Sequence, residues 1–167
     1  MDRKVSIMWN RKHSVMLSIV VCFAVAAALT VALFIGPWAI RNWFIFIRGW
    51  SGAEPNLQQL LLVFKITFYP CAVFGYVTLY SLIRLLFHIR RENIFIHQNV
   101  TYLRRISWCC FAVALITLVV GVLDFNSFTV PFIAVAAAAG FVGLMLRVVK
   151  NVMQAAVEIR EENELTI

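Results

Sequence analysis

The chain has 167 residues, of which 62% are hydrophobic and only 14% charged, and its mean hydropathy is +0.86. A soluble domain is nearer half apolar and a quarter charged, so these values exclude one and point to an integral membrane protein. The net charge of +7 would suit nucleic acid, but the basic residues flank apolar runs in the positive-inside pattern, and no direct nucleic-acid contact is expected.

Residues 1–13 are polar and basic, with Arg3, Lys4, Arg11 and Lys12, and read as a cytoplasmic arm, at most a short helix in the headgroup region. Residues 14–35 carry no charge and suffice for the roughly 20 residues of a spanning helix. The run continues past its alanines without a cleavage site, which favours an uncleaved span over a signal peptide. Within it Ala28, Ala32 and Gly36 form a small-residue stripe that lets another helix approach. Gly36-Pro37 is expected to end this helix, since proline lacks the backbone donor. Trp38, Trp43, Phe44, Phe46 and Trp50 then read as an aromatic segment along the outer interface, with a turn over 51–56.

The apolar run 57–87 is too long for one upright span, and Pro70 and Gly75 predict a kink. Lys65, Tyr69, Tyr76, Tyr80, Arg84 and His88 recur at steps of four and seven, one drifting stripe on a helix. Such a stripe faces the bundle interior or a wet crevice, because lipid offers no hydrogen-bond partners. Lys65, Tyr69, Tyr76, Tyr80 and Arg84 are therefore candidate groove residues, although snorkelling of Lys65 and interhelical bonds by the tyrosines account for most of the pattern.

A basic turn follows, carrying Arg90, Arg91, Arg104 and Arg105, and the third helix is expected to open over 99–105. The spans are placed at about 14–35, 62–87, 106–123 and 130–149, with a short hairpin link at 124–129 and Pro131 in the first turn of the fourth helix. That helix carries two pairs, Ala136/Gly140 and Ala139/Gly143, a packing seam within the chain or, alternatively, between the subunits of a homodimer. Beyond Lys150 an apolar stripe runs on into an acidic tail, so residues 150–167 read as a cytoplasmic helical extension. Glu161, Glu162 and Glu164 gain nothing from the negative end of their own helix, and the nearest basic surface is the turn. Arg90, Arg91, Asn99, Arg104, Arg105, Glu161, Glu162, Asn163 and Glu164 are the candidate partner-binding residues. All of the 15 Lys and Arg except Arg41, Arg48 and Lys65 fall on one side, which places both termini in the cytoplasm. The expected fold is an all-α, four-transmembrane-helix bundle.

Chemistry-bearing sets are missing. Cys22, Cys71, Cys109 and Cys110 all lie in apolar runs, without metal-ligand spacing. His88, Glu92 and His97 are a weak metal set at best, and no nucleophile–base combination stands out. The spans hold no carboxylate of the kind coupled carriers use. No enzyme activity, metal or cofactor is expected.

Phe95, Asn99-Val100, Leu103-Arg104-Arg105-Ile106-Ser107 and the closing run Glu161-Glu162-Asn163-Glu164-Leu165-Thr166-Ile167 carry a family resemblance. They resemble the patterns F-[ST]-x-x-N-x-x-x-L-R-x-I-S and E-E-N-D-L-T-I of small bacterial four-helix membrane proteins known only as domain of unknown function 2975. The likeness covers roughly 57–167. Ile96 stands where Ser or Thr would cap the third helix, which leaves that helix start open by a residue or two, and Glu164 replaces the usual Asp. The resemblance implies four spans, a bacterial inner (plasma) membrane, and genes often beside a small helix-turn-helix regulator; it implies no activity. The leading expectation is a membrane-embedded interaction or regulatory protein that engages such a regulator. The alternative is a small channel, carrier or resistance protein with a groove along the second helix.

Overall fold

The computed structural model describes residues 2–49, 55–90, 96–123 and 129–165. Among them are four helices, α1 (Asp2–Arg48), α2 (Pro55–Arg90), α3 (His97–Leu123) and α4 (Thr129–Leu165). Each contains a stretch long and apolar enough to cross a membrane, so the protein is a multi-pass, all-α membrane protein.

Two expectations for the first helix fail. Neither the basic arm nor Gly36-Pro37 interrupts it: α1 is one helix of 47 residues with Pro37 inside, and the aromatic run through Arg48 is its last three turns. In water, a proline's missing donor and its clash with the preceding turn usually end a helix. In lipid, a break would strand several backbone groups where no water can reach them, whereas one lost bond inside a continuing helix is tolerated. The end comes instead at Gly49, whose φ of 63° is the left-handed conformation that closes helices and favours glycine. The described part of α2 opens on Pro55, where the absent N–H costs nothing, and continues through Pro70.

Packing follows chain order, α1 on α2, α2 on α3 and α3 on α4, with the last contact the most extensive. α3 is the most enclosed span, with 28% of its most apolar stretch buried against 11% for α1 and α4. Large apolar side chains such as Phe34, Phe46 and Val130 face outward, as lipid-covered surfaces do.

At one end, Phe44 of α1 packs with Leu57 and Leu60 of α2, and Phe132 of α4 closes over them. The small residues serve the joints within the chain. A Cβ at Gly36 would lie 3.6 Å from the Phe68 ring, and one at Gly143 would lie 3.3 Å from Cys110 Cβ. The seam on α4 thus admits α3, with Ala136 and Gly143 buried, while Ala28 of the first stripe faces outward. Three threonine hydroxyls in the spans turn back on their own helix: Thr30 donates to the Ala26 carbonyl, Thr67 to Val63 and Thr117 to Val113, at 2.8–2.9 Å.

Candidate functional site

The antiparallel order brings the end of α2, the start of α3 and the end of α4 together, and cross-helix bonds fix them there. Asn99, 0% exposed, presents its carboxamide oxygen to His88 Nδ1 at 2.9 Å. That oxygen only accepts, so Nδ1 carries the ring proton. The Tyr102 ring tilts against His88 with centroids 5.7 Å apart. Two turns into α3 from Asn99, Ser107 Oγ donates to the Gly143 carbonyl at 2.8 Å. The Arg147 guanidinium lies 5.8 Å from the Trp108 ring centre and 5.9 Å from that of Phe111. The backbone N–H of Asn99 donates to the Ile96 carbonyl at 2.9 Å, so the first turn of α3 closes without the side-chain cap whose absence Ile96 signalled.

α4 continues this construction beyond the lipid. Its 37 residues rise about 55 Å, well over the roughly 30 Å hydrocarbon core. Val157, near the far end, is only 2% exposed, and Glu161 Oε1 meets His97 Nε2 at 3.1 Å. The tail therefore meets the start of α3 through an unbroken helix, not by folding back. Its partner there is His97, a residue whose role shows only when α3 and α4 are laid side by side. Both side chains are more than half exposed, so the pair sets register and adds about 0–1 kcal/mol at most.

The other candidate partner-binding residues divide. Arg90, Arg104, Arg105, Glu162 and Asn163 are exposed at this end. Asn99 is buried and bonded inside the bundle, so an incoming partner would meet its surroundings before its carboxamide. Arg91 and the Glu164 side chain lie outside the described residues.

The predicted stripe on α2 also divides. Lys65 and Tyr69 are exposed, and Tyr76 shares a 2.8 Å hydrogen bond with Thr30 of α1. Tyr80, Arg84 and His88 border a cleft of about 240 Å³, together with Ile83 and Phe87. Tyr76→Phe is expected to cost about 0.6 kcal/mol of thermal stability in detergent, and Tyr69→Phe nothing measurable, because of the two only Tyr76 hydrogen-bonds another helix among the described residues. A second cleft, of about 180 Å³, lies between α2, α3 and α4 and has an apolar lining that includes Phe68, Val113 and Phe132.

Among the described residues no cluster of His, Cys, Asp or Glu is placed to hold a metal. His88 and His97 are each engaged with another residue, and Glu92 lies outside the described residues. The four cysteines are free thiols.

No curated protein and no solved structure matches the chain. Residues 48–167 match the family described as "Protein of unknown function (DUF2975)", a stretch that takes in α2, α3 and α4 with the cross-helix bonds just described. The chain belongs to the DUF2975 family.

Proposed function

We propose that the protein is a membrane-anchored interaction protein of a bacterial inner membrane, working through its basic end as a docking face for a soluble regulatory partner. The observation that carries this reading is the extension of α4. A helix that served only to span would need no ordered turns past the lipid, yet α4 continues to Leu165 with Val157 buried and Glu161 bonded to His97. Arg90, Arg104 and Arg105 are exposed beside it, a cationic surface suited to an acidic partner. The Lys/Arg asymmetry favours a cytoplasmic location for this face and for both termini. The family resemblance suggests a small helix-turn-helix regulator as the partner.

The test combines topology with binding. Reporter fusions after Ile167 are expected to read cytoplasmic. Intact protein in detergent is expected to retain a small helix-turn-helix regulator of the kind often encoded beside genes of this family, and Arg104→Glu with Arg105→Glu is expected to abolish that retention without lowering the melting temperature. An external C-terminus, or retention indifferent to the charge reversals, would overturn the reading. A second reading, a small channel, carrier or resistance protein, draws support from the cleft beside Tyr80 and Arg84. It predicts ion or solute flux in proteoliposomes that Arg84→Gln reduces.

A further inference from the structure

We propose that the cleft at the basic end of α2 binds the phosphate of an anionic phospholipid headgroup. Tyr80, Ile83, Arg84, Phe87 and His88 line it, and their spacing of three and four residues means that one helix face supplies the lining among the described residues. Arg84 Nε donates to Tyr80 Oη at 3.1 Å, and its guanidinium carbon lies 5.5 Å from the centre of the same ring. These two contacts orient the guanidinium without using its terminal nitrogens. The two remaining NH₂ groups form the fork that meets phosphate oxygens bidentately. Tyr80 Oη accepts from Arg84, so its own proton is available to a further phosphate oxygen. No carboxylate among the described residues pairs with Arg84.

The walls decide between a lipid and a soluble anion. Ile83 and Phe87 give the cleft an apolar side that free phosphate could not use, whereas an acyl chain adjoining a headgroup could. Tyr80 is 52% exposed and Phe87 40%, so the cleft opens outward on the helix surface, where lipid is the neighbour. The bonds His88–Asn99 and Ser107–Gly143 place Arg84 at the same end of the bundle as Arg104 and Arg147, where apolar spans give way to charge and headgroups sit. This site rests on the cleft and its cation, independently of any soluble partner.

The experiment is native mass spectrometry of the purified chain in detergent, titrated separately with phosphatidylglycerol and phosphatidylcholine of equal chain length. Wild type is expected to retain phosphatidylglycerol preferentially. Arg84→Gln should reduce that preference about fivefold, the scale of one basic side chain at an anionic surface, while Lys150→Gln should leave it within twofold. If Arg84→Gln does not fold, Tyr80→Phe keeps the ring, removes the second donor, and should also weaken retention. Equal losses in Arg84→Gln and Lys150→Gln would mean diffuse attraction by the basic end and overturn the site. Displacement of the lipid by millimolar inorganic phosphate would identify a soluble-anion site and overturn the lipid assignment.

Discussion

Gly143→Leu and Gly121→Leu are expected to lower the melting temperature in detergent more than any other single substitution in the spans. A Cβ on Gly121 would lie 3.0 Å from Phe132 Cβ and 3.6 Å from the Ile133 backbone nitrogen. Neither atom can move unless α4 moves. At Gly143 the added Cβ would lie 3.3 Å from Cys110 Cβ and 3.4 Å from the Phe111 ring. Separating the helices there would also stretch the Ser107–Gly143 hydrogen bond. Overpacking of this kind costs about 1–3 kcal/mol and occasionally more, and each kcal/mol shifts the midpoint by about 2–4 °C in a chain of this size. Gly140→Ala is the control, because its Cβ would stand 3.9 Å from Ala114 Cβ in ordinary contact. There the better helix propensity of alanine, up to about 1 kcal/mol, should be retained. The measurement is thermal unfolding of the three variants side by side. Equal midpoints for Gly140→Ala and Gly143→Leu would show that α3 and α4 do not rely on this seam.

That seam was legible in the sequence because lipid narrows the choices. Without water in the bilayer core, helices associate through close packing, so Ala136/Gly140 and Ala139/Gly143 mark a contact face. The four helices were legible for a related reason, since apolar runs with basic flanks have few other uses. The continuity of α1 was not legible. Gly-Pro is a strong stop signal in water, and reading it as one at Gly36-Pro37 ignored how costly an exposed helix end is in lipid. The true stop, Gly49, lies among aromatic residues that suggested an interfacial segment. The α2 stripe was legible as one face of a helix, but nothing in its spacing says that Tyr76 would bond Thr30 while Tyr80 and Arg84 bond each other. His97–Glu161 depends on the register between α3 and α4, which only the packed structure supplies. Asn99 is the sharpest case. Its place in a recurring motif beside a basic turn suggested a contact residue, yet it is buried, because the polar partner it needs, His88, lies across the turn on α2.

Asn99→Leu is accordingly expected to destabilise the basic end strongly. The substitution keeps the same branched skeleton of four side-chain heavy atoms in a fully buried position, but it removes the acceptor that His88 Nδ1 faces at 2.9 Å. His88 is half-buried, so its donor left without a partner costs toward the low end of about 1–3 kcal/mol, while replacing both partners by apolar groups of similar shape can be nearly neutral. The double variant His88→Phe with Asn99→Leu should therefore melt above Asn99→Leu alone, since the ring contact with Tyr102 is kept and the His88 donor is gone. Ser81→Ala supplies the contrast at equal burial. Its hydroxyl is also 0% exposed but has no hydrogen-bond partner among the described residues, so its removal should be neutral or stabilising. A double-mutant cycle on melting midpoints measures the coupling. Strictly additive losses for His88→Phe and Asn99→Leu would show that the bond contributes nothing, and α2 and α3 would then be joined at this end by apolar contacts such as those of Leu85, Leu103 and Ile106. Recovery in the double variant would instead make the His88–Asn99 pair the clasp that holds the start of α3 against α2, on which the position of the exposed arginines depends.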